Sequence, residues 1–408
     1  MTLRMDALIQ VIAQALDMVE ISFLGASTNH GKRIAVLCAG MGKQMNMGEA
    51  EISDLISCAL LHDNALSEYM LLMQGREEES SDFKAHCEIG QRNLEYLPFK
   101  GNINGFILYH HERADGKGLF KMPEGSCPLG AELIAATDMI DTERHLQHIT
   151  SKELPALRKS IEDDIHYRFT ARAGNALLAV LDEDMLGSLK DDLITETAFQ
   201  SIPVWAIEMD NPALVSIAEF IAHIIDCRST FTRIHTQQIA NRIWLMAEHY
   251  GYDLSEKIQL YFAAALHDIG KLAIPIEVLE KPGQLNNEEF KIIKTHVVYT
   301  TSMLKTTDLL GSIADWASNH HEKLDGSGYH QGKTAADLDF NSRLLTSLDI
   351  YQAVSEERPY HPQRCHPETM KILTNMAENG TIDPGIVRDI DKVMAEWSGK
   401  ILKPPKRC

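Results

Sequence analysis

The sequence predicts an all-α protein built from two tandem copies of one helical domain, and three observations carry that expectation. The first is a histidine pattern that occurs twice. His235, His267, His296, the pair His320 and His321, and then Asp349 follow one another in the second half. His30, His62, His86, the pair His110 and His111, and Asp138 do the same in the first, at an offset that drifts only from 205 to 211 residues. Ten of the 18 histidines fall into these two sets, as a duplicated unit would require. The second observation is the local text. Leu-His-Asp recurs at 61–63 and 266–268, and His-His-Glu-Arg-Ala-Asp-Gly-Lys-Gly (110–118) parallels His-His-Glu-Lys-Leu-Asp-Gly-Ser-Gly (320–328). The third is periodicity: apolar residues recur at three-four spacing, and strand-like alternation is scarce. Ile202-Pro203 and Asn211-Pro212 mark the joint, so the expected domains are 1–205 and 206–408.

Each element follows from local signals. The stretch from about 141 to 210 reads as helical and charged. Ser255 to Ile269 carries Ile258, Tyr261, Phe262, Ala265, Leu266 and Ile269 on one face, which predicts a buried amphipathic helix with His267-Asp268 near its end. Lys281-Pro282-Gly283 reads as a turn. Asn286 with Glu289 forms a capping box that opens the helix bearing His296. His320-His321 closes a further helix before the turn Asp325-Gly326-Ser327-Gly328.

Bulk composition narrows the function. The chain has 408 residues, 44% hydrophobic and 24% charged, enough for a sizeable buried core. Its net charge of −19 argues against a long nucleic acid, which needs clustered Lys and Arg, but leaves room for a small anion in a local cationic pocket. Seven scattered cysteines with no Cys-x-x-Cys pair suit a reducing cytoplasm and argue against a thiolate zinc site. No secretory signal is legible. The most apolar run, Ala213 to Cys227, is broken by Glu219, His223 and Asp226, so no membrane partner is expected.

Five histidines and two aspartates from separate helices point to metal. Imidazole and carboxylate suit Fe, Mn or Zn, whereas an all-carboxylate cage would suit Mg or Ca. Neighbouring side chains on a helix diverge by about 100°, so His320 and His321 are expected to serve two ions. Asp268, directly after His267, is the expected bridge. Two ions roughly 3.5–4 Å apart can share a hydroxide and clamp both oxygens of an in-line phosphoryl displacement. His145, His148, His166, His223, His249 and His366 lie outside the pattern and read as structural.

The motifs His267-Asp268-Ile269-Gly270-Lys271, His320-His321-Glu322-Lys323-Leu324-Asp325-Gly326-Ser327-Gly328-Tyr329 and Arg358-Pro359-Tyr360 together resemble the HD-GYP family of cyclic dinucleotide phosphodiesterases. The resemblance covers most of 210–375 and implies two tandem HD-type helical domains, the second of HD-GYP type. It implies two transition-metal ions, Fe or Mn, held by His235, His267, Asp268, His296, His320, His321 and Asp349. It also implies hydrolysis of cyclic di-GMP or 3′,3′-linked cyclic GMP-AMP to a linear dinucleotide by a metal-activated hydroxide. Asp268 and Lys271 would be catalytic, with the Lys271 ammonium on a phosphate oxygen. Tyr329 would border a base, Arg358 would grip the second phosphate, and Arg343 is a weaker substrate contact. His330 stands in place of the third letter of Gly-Tyr-Pro, and Val297 replaces a frequent Pro. Phe231 stands where trinuclear members carry Glu, which favours two metals. A homodimer stays open. A non-hydrolytic cyclic dinucleotide sensor is the alternative from another class, and a mononucleotide phosphohydrolase would leave His296 and the His pair surplus.

The first copy keeps His30, His62, Asp63, His86, His110, His111 and Asp138 but replaces the phosphate contacts. Leu66 stands for Lys271, Glu132 for Arg343 and Gln147 for Arg358. Glu132 is expected to repel an anionic ligand. The first copy is therefore expected to be regulatory or structural, without turnover.

Overall fold

The computed structural model describes residues 2–24, 29–73, 83–208, 211–228, 235–281, 283–356 and 364–395. It is helical almost throughout. The named strands are Thr2–Arg4 and Ala206–Glu208, which pair as a two-stranded ribbon. By internal contacts the chain divides into two units, Arg4–Ala206, and Met1–Leu3 together with Ile207–Cys408.

Each unit repeats one helical order. In the first, helix His30–Gln44 packs on Glu49–Leu60, Lys84–Leu94 follows, and Leu129–Arg144 returns against His30–Gln44. In the second, His235–His249 packs on Leu254–Leu266, Asn287–Leu304 follows, and Phe340–Ser355 returns against His235–His249. The matched histidines and aspartates occupy matched places: first residue of the first helix, just past the end of the second, within the third, and within the last. Ile243, Leu260, Ala264, Leu344 and Leu348 are buried between the central helices of the second unit. Their three-four spacing turns one stripe of each helix inward.

Capping sets the helix starts. Asp253 accepts from Glu256 N while Glu256 accepts from Asp253 N, and Asn286 and Glu289 form the same reciprocal pair. The ends differ from expectation. The helix holding the His-Asp pair runs from Leu254 to Leu266 and stops two residues before Asp268, giving way to a 3₁₀ turn, Ile269–Ala273. Past that end the Gly270 amide donates to Thr300 Oγ1 at 3.0 Å. Thr300 Oγ1 in turn donates to the His267 carbonyl at 3.0 Å. A Cβ at Gly270 would lie 2.0 Å from the His296 carbonyl oxygen, so this glycine lets the two segments carrying His267 and His296 touch.

Candidate metal centre

Asp268 sits between two groups of imidazoles in the second unit. Its Oδ2 lies 3.2 Å from His267 Nε2 and 3.7 Å from His235 Nε2. Its Oδ1 lies 3.4 Å from His296 Nε2 and 3.9 Å from His320 Nε2. Asp349, brought in by helix Phe340–Ser355, spans the same gap. Its Oδ1 faces His267 and His235 at 3.8 and 3.7 Å, and its Oδ2 faces His321 Nδ1 at 3.7 Å. Two clusters of potential ligand atoms result, His235 with His267 and Asp268, and His296 with His320 and His321, each within 4.8 Å.

Hydrogen bonds behind the rings aim them. His267, His296 and His320 donate Nδ1–H to the carbonyls of Ala264, Ile293 and Ala317, each at 2.7 Å, which leaves Nε2 as the atom facing inward. His235 Nδ1 is held by Glu356 Oε2 at 3.0 Å. Such outer contacts choose the tautomer and fix the ring plane. Glu356 escaped the sequence reading, and its one signal is its place seven residues after Asp349, just past the end of the helix Phe340–Ser355.

His320 and His321 do not diverge as adjacent helical residues would. They follow the helix Ser312–Ser318, which ends at Asn319, and their centroids are 4.1 Å apart at 42°. Both belong to the cluster with His296, so adjacency alone does not divide them between two ions.

Burial sets the protonation states. Desolvation first, then neighbouring imidazoles, pushes the His320 ring well below its ordinary value. Desolvation brings His296 down to about 3 and His321 to about 4. Burial raises the Asp268 carboxyl, but His267 and Lys271 outweigh it and hold it well below the usual range. For Asp349 burial is likewise outweighed, by His321, His267 and His235. For His267 burial pulls down, yet Asp268 wins and the ring is raised. Imidazoles around ionised carboxylates are the donor set that a transition metal takes. The buried His235 Nε2, His267 Nε2 and Asp268 Oδ1 have no hydrogen-bond partner among the described residues, which a bound cation would repair.

Around the cluster lie the groups expected to touch substrate. Lys271 Nζ donates to Asp268 Oδ2 at 2.5 Å. The Tyr329 ring lies 4.7 Å from His321, and burial, then Asp349 and Asp268, push its phenol upward. Lys294, two residues before His296, holds its ammonium 4.9 Å above the Tyr329 ring. Sequence reasoning missed Lys294, although Lys84 stands at the matching place in the first copy. It also missed Glu322, buried and accepting from Gln331 N at 2.7 Å and Lys333 N at 2.9 Å. Glu112 holds Met122 N at 2.7 Å in the same way, so the recurring His-His-Glu was the available signal.

Arg343 stands apart from the cluster. It donates to the Leu338 and Ala335 carbonyls at 2.9 and 2.6 Å and pairs with Asp383 at 3.3 Å, tying a loop to the following helix. Glu132 is no free repelling charge either, since Arg172 grips both its oxygens at 2.6 and 2.7 Å. Arg358 and Phe231 lie outside the described residues. His366, outside the repeat, meets Tyr351 OH at 2.9 Å and Asp391 at 3.0 Å.

Residues 219–386 match the model of the HD domain family. The second unit carries an HD domain. A 3′3′-cGAMP-specific phosphodiesterase 1 from Vibrio cholerae is 26% identical over 390 residues, 91% of this chain and 88% of that protein. A cyclic di-GMP phosphodiesterase from Thermotoga maritima is 33% identical over 166 residues, 40% of this chain and 45% of that protein. That shorter match spans under half of each protein. In three dimensions, the chain is similar to a cyclic GMP-AMP specific phosphodiesterase of V. cholerae, with a TM-score of 0.66 over 97% of this chain and 99% of that one, at 22% identity. The all-α fold that surrounds the HD domain is thus one already known across almost the whole length.

Proposed function

We propose that this chain is a metal-dependent phosphodiesterase that opens a cyclic dinucleotide, 3′,3′-linked cyclic GMP-AMP or cyclic di-GMP, to its linear form. One observation carries the reading: in the HD domain, Asp268 and Asp349 each present one oxygen to either side of a buried histidine cluster. Seven side chains would hold two Fe or Mn ions there: His235, His267, Asp268, His296, His320, His321 and Asp349. When bound, such ions supply Lewis-acid stabilisation of the phosphoryl oxygens and lower the pKa of the attacking water.

The remaining work falls to the chain itself. The His296, His320 and His321 rings keep their nitrogens unprotonated at neutral pH and so leave no competing proton on those ligand atoms. Lys271 carries a movable cation at the edge of the cluster; a phosphodiester oxygen would compete with Asp268 for it. Tyr329 offers a flat face, with Lys294 over it, on which a purine could stack. In a chain of net charge −19, these local cations are what would make an anionic ligand welcome. The V. cholerae relative that extends along most of the chain supports the guanine–adenine substrate as the first to try.

Protein loaded with Fe(II) or Mn(II) is expected to release linear dinucleotide, and the Asp268→Ala variant to release none. Tight binding without linear product from loaded wild-type protein would overturn the proposal in favour of a sensor.

A further inference from the structure

We infer that the first unit holds a metal centre of its own, taking two divalent transition-metal ions in a closed site that does not turn over substrate. Two groups of candidate ligand atoms lie there within 4.8 Å: Asp63 with His86, His110 and His111, and His30 with His62 and Asp138. The wiring repeats that of the HD domain. Asp63 presents Oδ1 to His86 Nε2 at 3.0 Å and Oδ2 to His62 Nε2 at 3.5 Å. Asp138 presents Oδ1 to His30 Nε2 at 3.1 Å and Oδ2 to His111 Nδ1 at 3.6 Å.

Three of the rings, His30, His62 and His110, are aimed from behind as well. His62 Nδ1 donates to the Ala59 carbonyl at 2.9 Å and His110 Nδ1 to the Ile107 carbonyl at 2.5 Å. Asp141, gripped by Arg33 at 2.8 and 2.9 Å, holds His30 Nδ1 at 2.6 Å. His110 is 1% exposed, and its Nε2 and that of His111 have no hydrogen-bond partner among the described residues. Charge points the same way. The ion-pair partners of buried Asp63 and Asp138 among the described residues are histidines. Two carboxylates buried among imidazoles call for cations, and ions held by these side chains would supply them.

Closure separates this centre from the other one. Phe83 stacks on His86 at 5.0 Å and tilts over His111 at 5.1 Å, with Tyr69 edge-on to Phe83 at 5.4 Å. Leu66, fully buried, fills the place of Lys271. A site with an aromatic cover and a leucine in place of Lys271 suits a retained ion and not a phosphodiester.

The test is a metal count on the full-length protein, stripped with chelator, reloaded with Mn(II) or Fe(II) and desalted. A variant carrying His267→Ala with Asp268→Ala disables the HD-domain cluster only. It is expected to retain about two ions per chain, one for each group of ligands in the first unit, and to melt at lower temperature after chelation. Adding His110→Gln to that variant should lower both the count and the chelator-sensitive shift. If the first variant is folded by circular dichroism and binds no more metal than one with His62→Ala and Asp63→Ala added, the inference fails while the catalytic reading stands. Should that variant not fold, wild-type protein decides: a count of about two ions that His110→Gln leaves unchanged would overturn the inference equally.

Discussion

Replacing Gly270 with Ala tests how the HD domain is assembled, because one methyl group would be placed where two chain segments touch. The added Cβ would lie 2.0 Å from the His296 carbonyl oxygen, 2.6 Å from Thr300 N and 2.8 Å from Thr300 Oγ1. Carbon and carbonyl oxygen approach to about 3.3 Å at closest, so the segments must part by roughly 1.3 Å. All three obstacles belong to one helix, Asn287–Leu304, and two of them are backbone, so no side-chain rotation relieves the contact. Overpacking of this kind costs about 1–3 kcal/mol. Loss of the Gly270 to Thr300 hydrogen bond adds about 1 kcal/mol. At roughly 2–4 °C per kcal/mol for a unit of this size, the unfolding midpoint should drop by about 5–15 °C. The same displacement carries His296 away from Asp268, now 3.4 Å apart, by more than the ~0.2 Å that a ligand distance tolerates. Calorimetry together with metal content is the assay. Adding Thr300→Gly should not rescue the variant, because the His296 carbonyl still blocks the methyl. A Gly270→Ala protein that melts within about 1 °C of wild type and holds its full metal would refute the close approach.

Three further outcomes follow. Lys271→Ala should lower kcat/KM by about 10- to 150-fold, the equivalent of one charged hydrogen bond of about 1.5–3 kcal/mol, with metal content unchanged; an unaltered kcat/KM would remove Lys271 from the substrate site. Gly90→Ala, at the counterpart of Thr300 in the first unit, would crowd the Ile107 side chain, at 2.9 Å, and meet the Asn64 and Ala65 side chains only at ordinary contact, 3.5 and 3.7 Å. It should therefore cost less than Gly270→Ala in a side-by-side melt, and an equal loss would contradict the contrast between backbone and side-chain obstacles. The last concerns pH. The folded His321 titrates at about 4, lowered by burial, against an ordinary 6.5. Between pH 6.5 and 5 the unfolded chain takes up a proton at this residue that the folded one refuses. Metal-free wild type should therefore lose stability on acidification relative to His321→Asn, approaching about 1.4 kcal/mol per pH unit. A difference flat across that window in urea titrations would mean the ring is not held neutral.

Much of the candidate site was legible because histidine and aspartate carry strong chemical identity and the duplication repeated them. His267, Asp268, His296, His320, His321 and Asp349 could be picked out by spacing, and the structure gathers them. Arg343 was harder. Its guanidinium looks the same in sequence whether it meets a phosphate or, as here, Asp383 and two carbonyls. Glu132 reads as a free negative charge until Arg172, 40 residues on, is seen to neutralise it. Glu356 and Lys294 lacked any motif, since a carboxylate behind an imidazole and a cation over a ring are defined only by what lies opposite.

Helix periodicity, the duplicated histidine order and the capping boxes at Asp253 and Asn286 were determined along the chain, because each depends on residues a few positions apart. Tertiary structure alone decided that the His-Asp helix ends at Leu266, that His320 and His321 share a cluster, and that Phe83 stacks on His86. Those outcomes turn on contacts between segments distant in sequence, such as the Gly270 amide on the Thr300 hydroxyl, where the winner among competing partners is set by distance in space.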